Sequence, residues 1–214
     1  MNEILLGNPL LPAFLVASLV LAATPGPGVF YILARTLAQG RRAGLSSVAG
    51  VAVGNLANAV AAAMGLAALL AVSSLAFTLV KYAGALYLIY LGVKALGRRP
   101  GAETHTFAAA DLATIFRDGL IVALLNPKTA LFFAACLPQF IDPLASAMGQ
   151  SVVLGVLFVV IAVATDCLYV LIAGAAWPAL RRAPGARRWA RYLSAGVLVG
   201  LGVLAAVSGT RAPE

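Results

Sequence analysis

Few charged side chains in this sequence stand inside apolar surroundings, and those few are the ones that could do chemistry. Lys128, in Asn126-Pro127-Lys128, brings an ammonium group into an apolar stretch, with an amide beside it. Such a lysine costs about 3 kcal/mol at the centre of a membrane-spanning helix, so it should have a use there. It can bind a substrate carboxylate or pair with an internal acid. Snorkelling toward the interface is the structural alternative. Asp166 reads as the only acid inside an apolar segment. A carboxyl in that position suits a proton carrier and can also hold a substrate ammonium. An Asp166–Lys128 ion pair that merely locks two helices is the competing reading. The two are compatible, since a pair that breaks on protonation is a switch.

Thr24-Pro25-Gly26-Pro27 adds a backbone feature. Proline has no amide donor and clashes with the preceding turn, and glycine relaxes the chain further. A helix should kink or unwind here and free carbonyls that need partners in protein or in a wet cavity. Asn126-Pro127-Lys128 is a second such break. Asn55 and Asn58, in Gly50-x-x-x-Gly54-Asn55-x-x-Asn58, share one helix face by their spacing. They either line a cavity or bond between helices, while Gly50 and Gly54 permit close helix approach. Tyr169 lies about one turn after Asp166 and can reach the same cavity. Tyr82, Tyr87 and Tyr90 read as packing or interfacial residues.

Other chemistries are poorly supplied. His105 is the single histidine and sits in a polar stretch. Cys136 and Cys167 are far apart in apolar segments and read as small hydrophobes. This donor set implies no metal site, and no cofactor is implied. There is no G-x-S-x-G elbow, no H-E-x-x-H and no phosphate-cradling loop. An enzyme is therefore disfavoured. A scaffold would not explain paired breaks with buried charges.

The elements that must position these groups follow from composition. Hydrophobic residues make up 62% of the 214 residues and charged ones only 10%. Soluble domains run nearer a quarter charged. Neither Ile4 to Ala34 nor Ala43 to Val80 holds a charged side chain. The net charge of +8 lies mostly in short clusters between apolar runs, which is the pattern of membrane loops and not of a nucleic-acid surface. The reading is an all-α integral membrane protein of six transmembrane helices, at about 11–34, 46–71, 75–97, 115–137, 151–177 and 190–209.

Loop charges set the orientation. The first connection carries Arg35, Arg41 and Arg42, and the third carries Lys94, Arg98, Arg99 and Arg117. The fifth carries Arg181, Arg182, Arg187, Arg188 and Arg191. The second has only Lys81 at its end, and the fourth has no Lys or Arg. The positive-inside rule then places the odd connections in the cytoplasm and both termini outside. The N-terminus, with Glu3 and no early basic residue, reads as leading into the first span and not as a cleavable signal. A polar linker at 100–114 separates a first three-helix repeat, 1–99, from a second, 115–214. Three spans per half make the repeats inverted. Matched breaks in the first span of each half point to a transport site near the midplane.

Taken in order, these motifs resemble the lysine exporter (LysE) superfamily, specifically its homoserine/threonine resistance (RhtB) branch. The resemblance covers nearly the whole chain. It runs through Thr24-Pro25-Gly26-Pro27, Gly50 to Asn58, Leu79 to Gly92, Asn126-Pro127-Lys128 with Phe132 and Phe133, and Asp166. It implies a bacterial inner-membrane exporter of amino acids or close derivatives, driven by proton antiport, with homodimer formation. The residues expected to bind substrate are Thr24, Pro25, Gly26, Pro27, Asn55, Asn58, Asn126, Pro127 and Lys128, with Asp166 for proton coupling. The alternative is efflux of another small solute, a metal ion or a toxic organic compound, by the same fold.

Overall fold

A computed structural model describes residues 10–64, 74–96, 111–133, 137–141, 146–182 and 186–207. The linker expected at 100–114 falls mainly outside these residues, as do His105, Cys136 and both chain ends.

Every regular element among the described residues is helical. In chain order they are α1 (Leu11–Ala23), α2 (Pro27–Gln39), α3 (Arg41–Ala63), α4 (Ser74–Leu96), α5 (Leu112–Leu124) and α6 (Pro127–Leu131). A short 3₁₀ turn (Leu137–Phe140), α7 (Ala147–Arg182) and α8 (Ala186–Val207) follow. Local chemistry sets the boundaries. Thr24 ends α1 because Pro25 cannot donate, and α2 restarts on Pro27 after extended Gly26. Gly40 turns the chain from α2 directly into α3 at φ 87°, a left-handed position that suits glycine. Asp111 caps α5 by accepting from the Ala113 amide, and Ser146 caps α7 by accepting from Gly149.

Two helices, α3 and the Ala147–Ala175 part of α7, are long and apolar enough to cross a membrane. The α1–α2 pair, bent by 47° at its break, makes a third such segment. The outward faces are apolar: Val16, Val20, Leu86, Val160, Ile172 and Leu204 are all more than half exposed. Water would not tolerate such an exterior, and lipid does.

Several expected boundaries move. The first expected span, 11–34, extends to Gln39 as two helices, and the one at 190–209 begins at Ala186. The fourth begins at Leu112 and is split in two. Lys81 is not at the end of a connection. It lies two turns inside α4, buried, with its ammonium 5.0 Å from the Tyr82 ring. Asp118 also lies within a helix, α5, and is 1% exposed, so Asp166 is not the only buried acid. Lys81 thus lies further inside its helix than a loop charge would, and Asp118 adds a second acid to the membrane-spanning part.

The helices pack against one another across the length of the chain. α3 lies against α5 and α7, α4 against α8, α1 and α2 against α7, and α2 against α8. The α3–α5 contact is closest at the glycines of the Gly50-x-x-x-Gly54 stretch. A Cβ on Gly54 would stand 2.6 Å from the Ala123 Cβ and 2.8 Å from the Leu120 carbonyl oxygen. Backbone cannot yield there as a flexible side chain would. Gly54→Val should therefore cost about 1–3 kcal/mol or more, as overpacking does. Loss of the monodisperse detergent-solubilised protein, or a lower thermal midpoint, checks this.

Two apolar clusters flank the helix breaks. One gathers Tyr31, Ile32, Val48, Val51, Leu88, Val122 and Val170. The other is rich in aromatics, with Phe158 5.1 Å from both Phe132 and Phe133, and Phe14 5.3 Å from Phe140. The polar site lies between them.

Candidate functional site

The α1–α2 break is where the backbone needs help. Pro25 and Pro27 cannot bond the carbonyls four residues earlier, those of Leu21 and Ala23. Both carbonyls are taken up by side chains from the far half of the chain. The Lys128 Nζ donates to Leu21 O at 2.8 Å and also to Thr24 O. The Tyr169 hydroxyl donates to Ala23 O at 2.8 Å. Lys128 crosses directly over Gly26, whose Cβ, if present, would lie 3.1 Å from Lys128 Cδ. The Thr24 hydroxyl points back along α1, bonding Val20 O at 2.6 Å.

The α5–α6 break obeys the same logic. Pro127 deprives the Ala123 carbonyl of its helical donor, and the carbonyl accepts instead from Asn58 Nδ2 on α3 at 2.9 Å and from the Asn126 amide at 3.1 Å. Asn126 caps α6: its Oδ1 accepts from the Lys128 amide at 3.1 Å and its Nδ2 donates to Thr129 Oγ1 at 3.1 Å. Breaks of this kind are stable in lipid only when such partners exist.

Beside the breaks lies a cavity of about 40 Å³, room for a few water molecules. Its polar lining is Thr24, Asn55, Asn126, Lys128, Thr129 and Asp166. Its apolar wall includes Val29, Val51, Phe158 and Ala162. Asp166, on α7, is 5% exposed. Among the described residues no ion pair within 4.0 Å joins it to Lys128. Asn55, on α3, is 6% exposed, and its Oδ1 is a buried acceptor with no hydrogen-bond partner. A buried acceptor left open is costly, and native structures rarely keep one without a reason.

The residues expected from sequence are thus sorted. Thr24, Gly26, Asn55, Asn126, Lys128 and Asp166 meet at the cavity. Pro27 and Pro127 line a smaller cavity on the other side of the breaks, with Lys81, Gly84 and Leu125. Pro25 shapes the break from its exposed edge. Asn58 serves the backbone. Asn55 and Asn58 therefore divide the two readings of their shared face. Asn58→Ala removes one of the two donors to the Ala123 carbonyl and leaves the Asn126 amide, so it should lower stability by about 1 kcal/mol, with substrate affinity little changed. Asn55→Ala should do the reverse. Thermal unfolding and a binding titration on both variants separate the two effects.

A second polar cluster was not anticipated. Arg35 on α2 meets Asp118 on α5 at 2.9 Å, and Tyr87 on α4 donates to the other carboxylate oxygen at 3.1 Å. Arg117 stands 3.7 Å from the same carboxylate. Tyr31 receives Arg35 Nε at 3.2 Å and donates to Ile115 O at 2.8 Å. Arg35 and Asp118 were visible only as charges close to helix ends.

An apolar-faced helical bundle with a polar cavity at paired helix breaks is the architecture of a membrane protein, and the family match makes it a translocator. The chain belongs to the LysE type translocator family, whose model matches residues 19–209. Its similarity to an uncharacterized membrane protein of Vibrio cholerae is 37% identity over 150 residues, 70% of this chain and 73% of that one. A homoserine/homoserine lactone efflux protein of Salmonella typhimurium is 35% identical over 150 residues, with the same two shares, 70% and 73%. A leucine efflux protein of Salmonella choleraesuis is 33% identical over 142 residues, 64% of this chain and 66% of that one. No solved structure matches the chain.

Proposed function

We propose that the protein exports neutral amino acids or close derivatives from the cytoplasm, by proton antiport with alternating access. The observation that carries this is the cavity at the breaks, where an ammonium (Lys128), a carboxyl (Asp166) and an open amide acceptor (Asn55) face one small space. Those groups complement a zwitterion. The substrate carboxylate lies toward Lys128 and the start of α2, where helix amides are unpaired. The substrate ammonium lies toward Asn55 and Asp166. A proton arriving on Asp166 releases the ammonium, and substrate leaves outward. The efflux relatives supply the cargo class, homoserine and leucine.

The architecture proposed is six spans in two inverted three-helix repeats, 1–99 and 115–214, joined by the 100–114 linker. Reciprocity supports it. Asn55 and Asn58 sit three residues apart on α3, and Asp166 and Tyr169 three apart on α7. The first of each pair lines the cavity. The second bonds the carbonyl orphaned by proline in the other half's broken helix: Asn58 to Ala123, Tyr169 to Ala23. The α4–α8 and α3–α7 contacts would lie on the axis relating the halves. A homodimer in the bacterial inner membrane, with both termini outside and basic loops in the cytoplasm, completes the proposal. An amino acid needs more room than the cavity offers, so loading requires helices to part, as alternating access supposes.

The test is efflux from proteoliposomes loaded with labelled leucine or homoserine under an imposed proton gradient. Export that collapses with an uncoupler is expected. If no amino acid moves while other small solutes do, the cargo assignment fails.

A further inference from the structure

On α2, Gly28 and Val29 line the cavity, and Arg35 lies about 10 Å further along the helix, toward the basic loop at Arg41 and Arg42. Arg35, Asp118 and Tyr87 come from three different helices of the two halves. Their contact joins α2, α4 and α5 on the side of the cavity that leads to Arg41 and Arg42, at the start of α3. The opposite side of the cavity is closed by the aromatic cluster, which offers no charges. The two ends are therefore chemically different: one holds an ion pair among apolar side chains such as Ile32 and Leu88, and the other is rich in rings.

An ion pair is an unusual contact there. With Asp118 1% exposed and the Arg35 side chain 17% exposed, separating them leaves the buried carboxylate only the Tyr87 hydroxyl and the more distant, largely exposed Arg117, and takes from Arg35 its carboxylate. That is strongly destabilising unless something replaces each partner. An α-amino acid carries the two replacements on adjacent atoms. Its carboxylate can take the guanidinium, for which a planar carboxylate is the natural bidentate partner. Its ammonium can take the carboxylate and keep the Tyr87 bond as well.

We propose that Arg35 and Asp118 form a cytoplasmic intake site for the zwitterionic substrate, closed on itself in this structure and opened when substrate exchanges for the internal pair. The proposal rests on the export reading for its ligand and direction. It assigns a first binding step, separate from the Lys128–Asp166 cavity, and it explains how opening is tied to the arrival of cargo. Tyr31 is the positioning residue: it holds Arg35 Nε while anchored to the Ile115 carbonyl of the opposing helix.

A reporter cysteine tests this. Cys136 and Cys167 are replaced by serine and Ala22, which lines the cavity, by cysteine. A membrane-impermeant maleimide is applied to inside-out vesicles. Labelling should be slow without substrate and at least several-fold faster with leucine or homoserine. The amine-free acid with the leucine side chain should have no such effect. Arg35→Gln/Asp118→Asn should label roughly tenfold faster without any substrate, because breaking a buried pair is no longer costly. Tyr87→Phe, a milder change, should fall between. Wild-type labelling rates in both variants would overturn the proposal, and so would equal acceleration by the amine-free acid. Labelling needs no gradient, so a protein that opens to amino acids yet exports none fails the export reading and not this one.

Discussion

Asp166→Asn should abolish gradient-driven efflux and leave a folded protein. The reasoning separates charge from shape. Asparagine keeps the volume and hydrogen-bonding outline of aspartate but cannot take up or release a proton. Asp166 is buried on α7 with no ion-pair partner within 4.0 Å among the described residues. Removing its charge therefore strands no ion-pair partner, and a buried charge without one costs stability and does not add it. The thermal midpoint should stay level or rise. Transport driven by a proton gradient should fall to the protein-free background, while slow exchange of labelled for unlabelled amino acid can persist. Undiminished proton-coupled efflux in this variant would remove Asp166 from the coupling step.

Lys128→Met should have the second-largest effect, and on two quantities at once. The side chain donates to Leu21 O and Thr24 O, and so holds the broken α1–α2 segment to the second half of the chain. Leu21 O retains the Thr24 amide at 3.3 Å, a poor substitute, while Thr24 O loses its donor. Losing these two charge-assisted bonds, one of them at a half-buried carbonyl, should cost about 1–3 kcal/mol in all. For a chain of this size that corresponds to a thermal midpoint lower by roughly 2–12 °C. Transport should disappear with it, because the cavity loses its cation and its wall loosens. Lys128→Arg keeps the charge, but its planar fork fits poorly over Gly26, so partial transport is expected. A Lys128→Met protein that is less stable yet binds amino acid with unchanged affinity would reduce Lys128 to a structural clip.

The two prolines breaks were legible in the sequence because proline is chemically singular: without an amide hydrogen, it orphans a known carbonyl wherever it stands in a helix. The need for partners was legible too. Which partners was not. Lys128 and Tyr169 reach carbonyls more than a hundred residues away, and Asn58 reaches one 65 residues away. No local pattern encodes such distances. The Asn55–Asn58 spacing correctly marked a shared face, but one face of α3 meets both the cavity and the α5 backbone. Only packing tells which amide meets which.

The Arg35–Asp118 cluster was hidden for a different reason. Arg117 and Asp118 are adjacent, so along the chain they look like cancelling charges at a loop. On a helix, adjacent residues diverge by about 100°, and here one faces outward while the other is buried. Lys81 was misplaced by the same habit, since a charge close to an expected span end was assigned to the loop. The useful signal would have been the acid itself: an aspartate two turns inside a helix that must cross lipid needs a cation, and Arg35 was the candidate in the first half.

The central claim is that one cavity exchanges an amino acid for a proton on Asp166. Calorimetry tests it most directly: leucine or homoserine is titrated into the detergent-purified protein, in two buffers of different ionisation enthalpy at the same pH. The difference between the heats counts protons. The account predicts that substrate binding releases a proton from the wild type, more completely at lower pH, and releases none from Asp166→Asn. Binding without proton release by the wild type, or equal release by both proteins, would contradict it.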